Sequence, residues 1–215
     1  MITLTEISLT CPVCDKQFTS TSVGDRHGKT SKRTDFQEYV AGSTVLPYTV
    51  HQCPRCGFSA VPEGFEAPAD AMLQLRVWND LMPKLDDGER TGSGKYEAAA
   101  KIALWRSEEA RRIGDLWLCA AWCCVEESDT EAERYFRRLA ARAYEDALSS
   151  FDGVPRDERA VFAYLIGELW RRIGDERTAH TWFRRVPLET TNAKEQRWVI
   201  DAAIRQALSP HEWFA

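Results

Sequence analysis

Four of the seven cysteines stand as two Cys-x-x-Cys pairs, Cys11-Pro12-Val13-Cys14 and Cys53-Pro54-Arg55-Cys56, separated by 38 residues. Two intervening residues let both sulfurs of a tight turn face one ion, so two such pairs supply the four thiolates that tetrahedral Zn2+ takes. Pro12 and Pro54 pre-set the backbone angle entering each turn. Gly57 follows the second pair and accepts the left-handed conformation that turns local N–H groups toward sulfur, whereas Asp15, in the equivalent place of the first, accepts it at some cost. Cys11, Cys14, Cys53 and Cys56 are therefore the expected ligands of a structural Zn2+. A closed four-thiolate shell has no open position for catalysis, and such a site contributes on the order of 10 kcal/mol to folding. Four thiolates also bind iron. A thioredoxin-like redox pair would need a βαβ setting that the pattern lacks, and an odd cysteine count fits a disulfide framework poorly. His27 and His51 are the other nearby ligand types, but four cysteines close the site without them.

Other chemistry finds little support. Gly24-Asp25-Arg26-His27-Gly28-Lys29-Thr30 has three residues between its glycines where a phosphate loop needs four, and the polar stretch after it has no helical period. No recognisable nucleophile with its base, carboxylate pair or open metal site is present, so no enzyme is expected; Asp35 and His51 would be the first residues to inspect for one. Cys119, Cys123 and Cys124 lie in an apolar run without interleaved His, Asp or basic residues and read as buried core.

Those ligands need a frame. The chain has 215 residues, enough for one or two domains, and its 44% hydrophobic content with eight Trp is globular. The longest apolar run, Leu116 to Val125, falls well short of the ~18 residues that span a bilayer, and Met1 to Thr10 lacks secretory features, so the expected location is cytoplasmic. A net charge of -5 argues against a dedicated nucleic-acid binder.

The segments CPVCDKQFTS, RTDFQEYVAG and LPYTVHQCPRCGFSA, in that order, resemble the bacterial family catalogued as domain of unknown function 2225. That family pairs an N-terminal CPxC with a later CPxCGY/F, and Cys11, Cys14, Cys53, Cys56, Gly57 and Phe58 match it, as do Arg33, Thr34, Asp35 and Phe36 in its central segment. Where many members read Asp-Phe-Cys, Gln37 follows Phe36 here. The resemblance is specific over about residues 9–66 and implies a zinc-ribbon-like start with helices beyond, and no known activity.

From Ala69 onward the pattern becomes long and amphipathic, which predicts six or seven helices. The expected fold is mainly α: a small zinc-ribbon-like β module over residues 1–66, then a tetratricopeptide-like helical array over 67–215. Asp80 to Gly94, rich in Gly, Asp and Ser with Pro83, predicts a loop. Arg111-Arg112-Ile113-Gly114-Asp115 recurs 60 residues later as Arg171-Arg172-Ile173-Gly174-Asp175, which predicts two helical hairpins, each turning at Gly with Asp capping the next helix. Gly167, Trp170, Ala179, Phe183 and Val186 are similar to the tetratricopeptide pattern. Thr130 to Ser150 carries one apolar stripe, Asn192 with Glu195 suggests a capping box for a last helix ending near Leu208, and Leu116 to Val125 is the expected central helix. Trp213 and Phe214 are expected to fold back onto the last helices, the alternative being exposure for a partner.

Arg111, Arg112, Arg137, Arg138, Arg171, Arg172, Arg184 and Arg185 form four pairs. They read as solvated faces neutralised by Glu, or as a groove for acidic peptides. The expected function is a non-enzymatic, zinc-binding protein-interaction module with an unidentified protein or peptide partner and no membrane contact. The alternatives are a nucleic-acid-binding ribbon using the basic segment Arg26 to Arg33, although residues 1–66 carry six Lys and Arg against seven Asp and Glu, and an uncharacterised enzyme or redox protein.

Overall fold

The computed structural model describes residues 2–40, 42–85 and 91–214, and of Arg26 the backbone alone. Strands β1 (Ile2–Thr10) and β2 (Gln17–Arg26) pair antiparallel, with Leu9 opposite Phe18 beside the first Cys-x-x-Cys turn. The short pairs β3 (Thr30–Lys32) with β4 (Glu38–Val40) and β5 (His51–Gln52) with β6 (Ser59–Ala60) follow, the latter hairpin closing on the second Cys-x-x-Cys turn. Seven α-helices come next among the described residues: α1 (Ala71–Arg76), α2 (Gly92–Trp105), α3 (Ala110–Glu127), α4 (Thr130–Ser149), α5 (Arg159–Ile173), α6 (Glu176–Arg185) and α7 (Arg197–Leu208). Each of α2 to α6 packs on its successor, and α7 packs on α5 and α6. The protein is mainly α with a small N-terminal strand module.

The helix boundaries have local causes. At the end of α5, Gly174 takes φ +96°, the Asp175 N–H returns to the Trp170 carbonyl at 3.0 Å, and the Asp175 carboxylate accepts from the Thr178 N–H at 3.0 Å to start α6. This is the hairpin expected at the second Arg-Arg-Ile-Gly-Asp. The first is different: Gly114 and Asp115 lie inside α3. A Cβ on Gly114 would come within 2.6 Å of the Tyr144 ring, and Asp115 accepts from the Tyr144 hydroxyl at 2.7 Å, so that glycine seats α4 against α3 and turns nothing. The turns flanking α3 fall at Ser107 and Ser128, both at positive φ. The expected 60-residue repeat therefore places one pentapeptide in the opening turns of α3 and its twin at the end of α5.

Two further expectations shift. Asp80 and Pro83 belong to a π-turn (Val77–Leu81) and a 3-10 turn (Met82–Lys84) that prolong α1, while Gly92, Ser93 and Gly94 open α2 behind a Thr91 cap; Asp86, Asp87 and Gly88 of the expected loop lie outside the described residues. Gly92 is needed there because a Cβ would meet Cys123 Sγ at 3.0 Å and Pro47 at 3.1 Å. Asn192 accepts from the N–H groups of Lys194 and Glu195, capping the turn that precedes α7 rather than α7 itself. α4 starts at the expected Asp129 cap.

Two apolar cores form. The larger lies among α2 to α7 and contains Cys123 and Cys124, with Cys119 against it; α3 is buried on most sides as expected. The smaller gathers Cys11, Val13, Cys53, Cys56, Phe58 and Phe65 with Leu73, Val77, Leu81, Ala98 and Ile102. Helix α2 serves both, turning Ala98 and Ile102 to the cysteine end and Tyr96, Ala99, Ala100 and Ala103 to the helical stack.

Candidate metal centre

The two Cys-x-x-Cys turns are built alike. In the first, the Asp15 N–H donates to the Cys11 carbonyl at 3.0 Å and the Cys11 N–H to the Lys16 carbonyl at 3.0 Å; in the second, Gly57 N–H to Cys53 carbonyl at 3.0 Å and Cys53 N–H to Phe58 carbonyl at 2.8 Å. Both end in the left-handed region, Asp15 at φ +56° and Gly57 at φ +78°, so the conformation expected of Gly57 is also imposed on Asp15. That geometry aims the Val13 and Cys14 N–H groups at Cys11 Sγ, and those of Arg55 and Cys56 at Cys53 Sγ.

The turns face each other. Cys11 Sγ lies 3.6 Å from Cys56 Sγ and Cys14 Sγ lies 3.6 Å from Cys53 Sγ, and all four sulfurs are within 4.8 Å of one another. A tetrahedron with Zn–S of about 2.3 Å has S···S edges of about 3.8 Å, so these residues fit a four-thiolate metal ion. Cys11, Cys53 and Cys56 are buried and Cys14 is partly exposed. Hydrogen bonding to Cys53 pushes the Cys11 thiol up to about 12, bonding to Cys11 pushes Cys56 up, and the bonds Cys53 receives from both lower it. Thiolates rather than thiols bind a divalent cation, so metal binding at such a cluster releases protons and its affinity falls in acid.

The two histidines stand aside from this cluster. His51 is fully buried, with Nδ1 2.9 Å from Ser20 Oγ, and His27 is exposed; neither is among the grouped ligands.

A second polar centre lies where β3 and β4 meet the helices. Arg33 to Gln37 makes a tight turn, Arg33 N–H to Gln37 carbonyl at 2.8 Å, with Phe36 at φ +71°. The tail runs alongside: Thr34 N–H donates to the Glu212 carbonyl and Phe214 N–H to the Lys32 carbonyl, each at 3.0 Å. Phe36 stacks on Phe214 and meets Tyr164 and Trp198, while Trp213 packs on Tyr39. Phe214 docks, as expected, against Phe36 and Tyr164 of α5, while Trp213 stays 46% exposed.

Asp35 enters the helical stack with no exposure. Its Oδ2 accepts from Arg137 Nη1 at 2.6 Å and from Trp122 Nε1 at 3.0 Å, with Arg172 Nε at 3.7 Å. Burial would raise its carboxyl, but Arg137 and Arg172 overcome this and hold it at about 2. Thr34 Oγ1 donates to buried Glu168 at 2.7 Å, and Arg171 and Arg172 both bond Glu168 and reach Glu212. Of the eight paired arginines, Arg137, Arg171 and Arg172 do converge, but on carboxylates of their own chain. Arg111, Arg112 and Arg185 pair with Glu158, Glu108 and Glu189 at the periphery. In the basic segment, Lys32 pairs with Glu38 and Arg33 with Glu212, while the Arg26 side chain lies outside the described residues.

The molecule is thus a helical stack carrying a paired-turn, four-cysteine site that could hold a metal ion. The chain belongs to the family described as uncharacterized protein conserved in bacteria (DUF2225), whose profile matches residues 4–208. The match runs through the helices, well beyond the residues 9–66 that carry the motifs. No curated protein and no solved structure matches the chain. Among the described residues no helix is long and apolar enough to cross a membrane.

Proposed function

We propose that the chain is a non-enzymatic protein-interaction module whose Cys11, Cys14, Cys53 and Cys56 hold a structural Zn2+, joining a zinc-ribbon-like part, residues 1–66, to a tetratricopeptide-like part, residues 67–215, in the cytoplasm. The observation that carries the zinc reading is the closed cluster: four sulfurs at tetrahedral spacing, three of them buried in the smaller core, leave no position for a substrate. The ion would tie the β1–β2 and β5–β6 turns together above α1 and α2. The non-enzymatic reading is supported by the burial of Asp35 and His51, neither of which reaches solvent. The self-satisfied arginines direct the search for a protein partner to the outer helix faces, and the ion pairs of Lys32 and Arg33 weaken the nucleic-acid alternative.

Elemental analysis of protein purified without added metal, beside a Cys53→Ser, Cys56→Ser variant, tests the reading. One zinc per chain, lost together with folding in the variant, is the expected result. Iron, or an intact fold without metal, would overturn it and turn attention to redox chemistry of the cysteine pairs.

A further inference from the structure

Helix α1 and its π-turn bury Leu73, Val77 and Leu81, at four-residue spacing, in the smaller core. The opposite side of a surface helix is ordinarily polar. Here it carries Met72, Leu75, Trp78 and Met82, exposed by 59%, 49%, 46% and 47%. Four large apolar side chains on one face mark a contact surface, since single-chain proteins rarely leave such stripes to water.

The stripe is nearly its own reverse: Met at either end, ten positions apart, with Leu75 and Trp78 between. Arg76 and Asp80 flank it four positions apart on the same helix, yet they do not pair. Arg76 leans instead over the Trp105 ring, 6.0 Å from its centroid. We propose that this face is a two-fold interface between two copies of the chain, the stripes crossing antiparallel near Trp78.

A surface that pairs with itself about a two-fold must present complementary halves, and reversal supplies them. It sets Met72 toward Met82 of the partner subunit and Arg76 toward Asp80 of the partner subunit, twice. A parallel crossing would instead oppose Arg76 to its own copy. Beside the stripe, a groove of about 550 Å³ between Ala67–Asp70, Met72, Arg76 and Trp105 offers a recess for the second copy's side chains. An eleven-residue stripe is only about 15 Å long, less than a standard interface of about 800 Å² per partner needs, so the dimer is weak.

Sedimentation equilibrium of the full chain with saturating zinc, from about 1 to 300 µM, tests this. The average mass is expected to rise from one chain toward two. Trp78→Glu should hold it at one chain; Arg76→Asp and Asp80→Arg should each weaken association about tenfold, and the two together should restore it. Far-ultraviolet circular dichroism and zinc content verify that each variant folds. A single-chain mass at every concentration overturns the proposal, as does a dimer that survives Trp78→Glu or a double variant no better than its singles.

Discussion

Asp35→Asn is the most informative single substitution, because it keeps the side-chain shape and removes one charge from a fully buried pair. Asp35 and Arg137 both have no side-chain exposure, and Asp35 Oδ2 accepts from Arg137 Nη1 and Trp122 Nε1. Removing one partner of such a pair strands the other in a low dielectric, at about 3 to 5 kcal/mol. Glu133 still accepts from Arg137 Nε at 2.8 Å, but it is partly exposed, so it compensates only in part and places the cost near 3 kcal/mol. With a urea slope of about 2 kcal/mol per molar, the midpoint should fall by about 1.5 M. The assay is equilibrium unfolding in urea at pH 7, followed by circular dichroism, with zinc kept saturating so that the cysteine site does not contribute. Arg137→Met and the double variant complete a cycle: the double should cost at least 1 kcal/mol less than the sum of the singles, about the coupling expected of groups in one network. A midpoint for Asp35→Asn within about 0.25 M of the parent, or an additive cycle, would refute the claim that this pair anchors the β3–β4 segment to the helices.

Two further outcomes follow from the same geometry. The Asp35 carboxyl is held at about 2, below its ordinary value of 3.8, so its contribution is fully present above pH 4 and is lost as pH falls toward 2. It is on the order of 2 kcal/mol, and the acid limb of stability against pH should be shallower in Asp35→Asn than in the parent. Gly114→Ala would push a methyl to within 2.6 Å of the Tyr144 ring and should lower stability by about 1 to 3 kcal/mol in thermal or urea unfolding, whereas alanine at a freely exposed helical position would raise it.

The cysteine turns were legible from sequence because everything that shapes them is local. Two residues between sulfurs, a proline entering and a left-handed residue leaving define each turn within six positions, and the structure adds that Asp15 accepts the strained role alongside Gly57. The α4 limits and the α5–α6 turn were legible for the same reason, since a cap reads only its own neighbours. The two Arg-Arg-Ile-Gly-Asp pentapeptides show where that logic stops. Their local sequences are identical, yet one ends a helix and the other lies in the first turns of one, where only Gly114 faces a tyrosine from another helix. The polar centre lay beyond local reading as well: the partners of Asp35 are 87 and 102 positions away, and Arg137 and Arg138 look alike in sequence although Arg137 alone is fully buried.

By itself, the sequence determined the two cysteine turns, the mainly helical class and those helix ends set by a local cap, at α4, at the α5–α6 turn and at the end of α7, since residue type and spacing over a few positions decide turns, caps and amphipathic faces. Only the tertiary structure decided which arginines are buried, that the Thr34–Phe36 turn and the C-terminal tail fill the helical stack, and that the cysteine site shares its core with α1 and α2. Those outcomes depend on which distant surfaces meet, and burial, unlike backbone conformation, is a property of the whole packed chain.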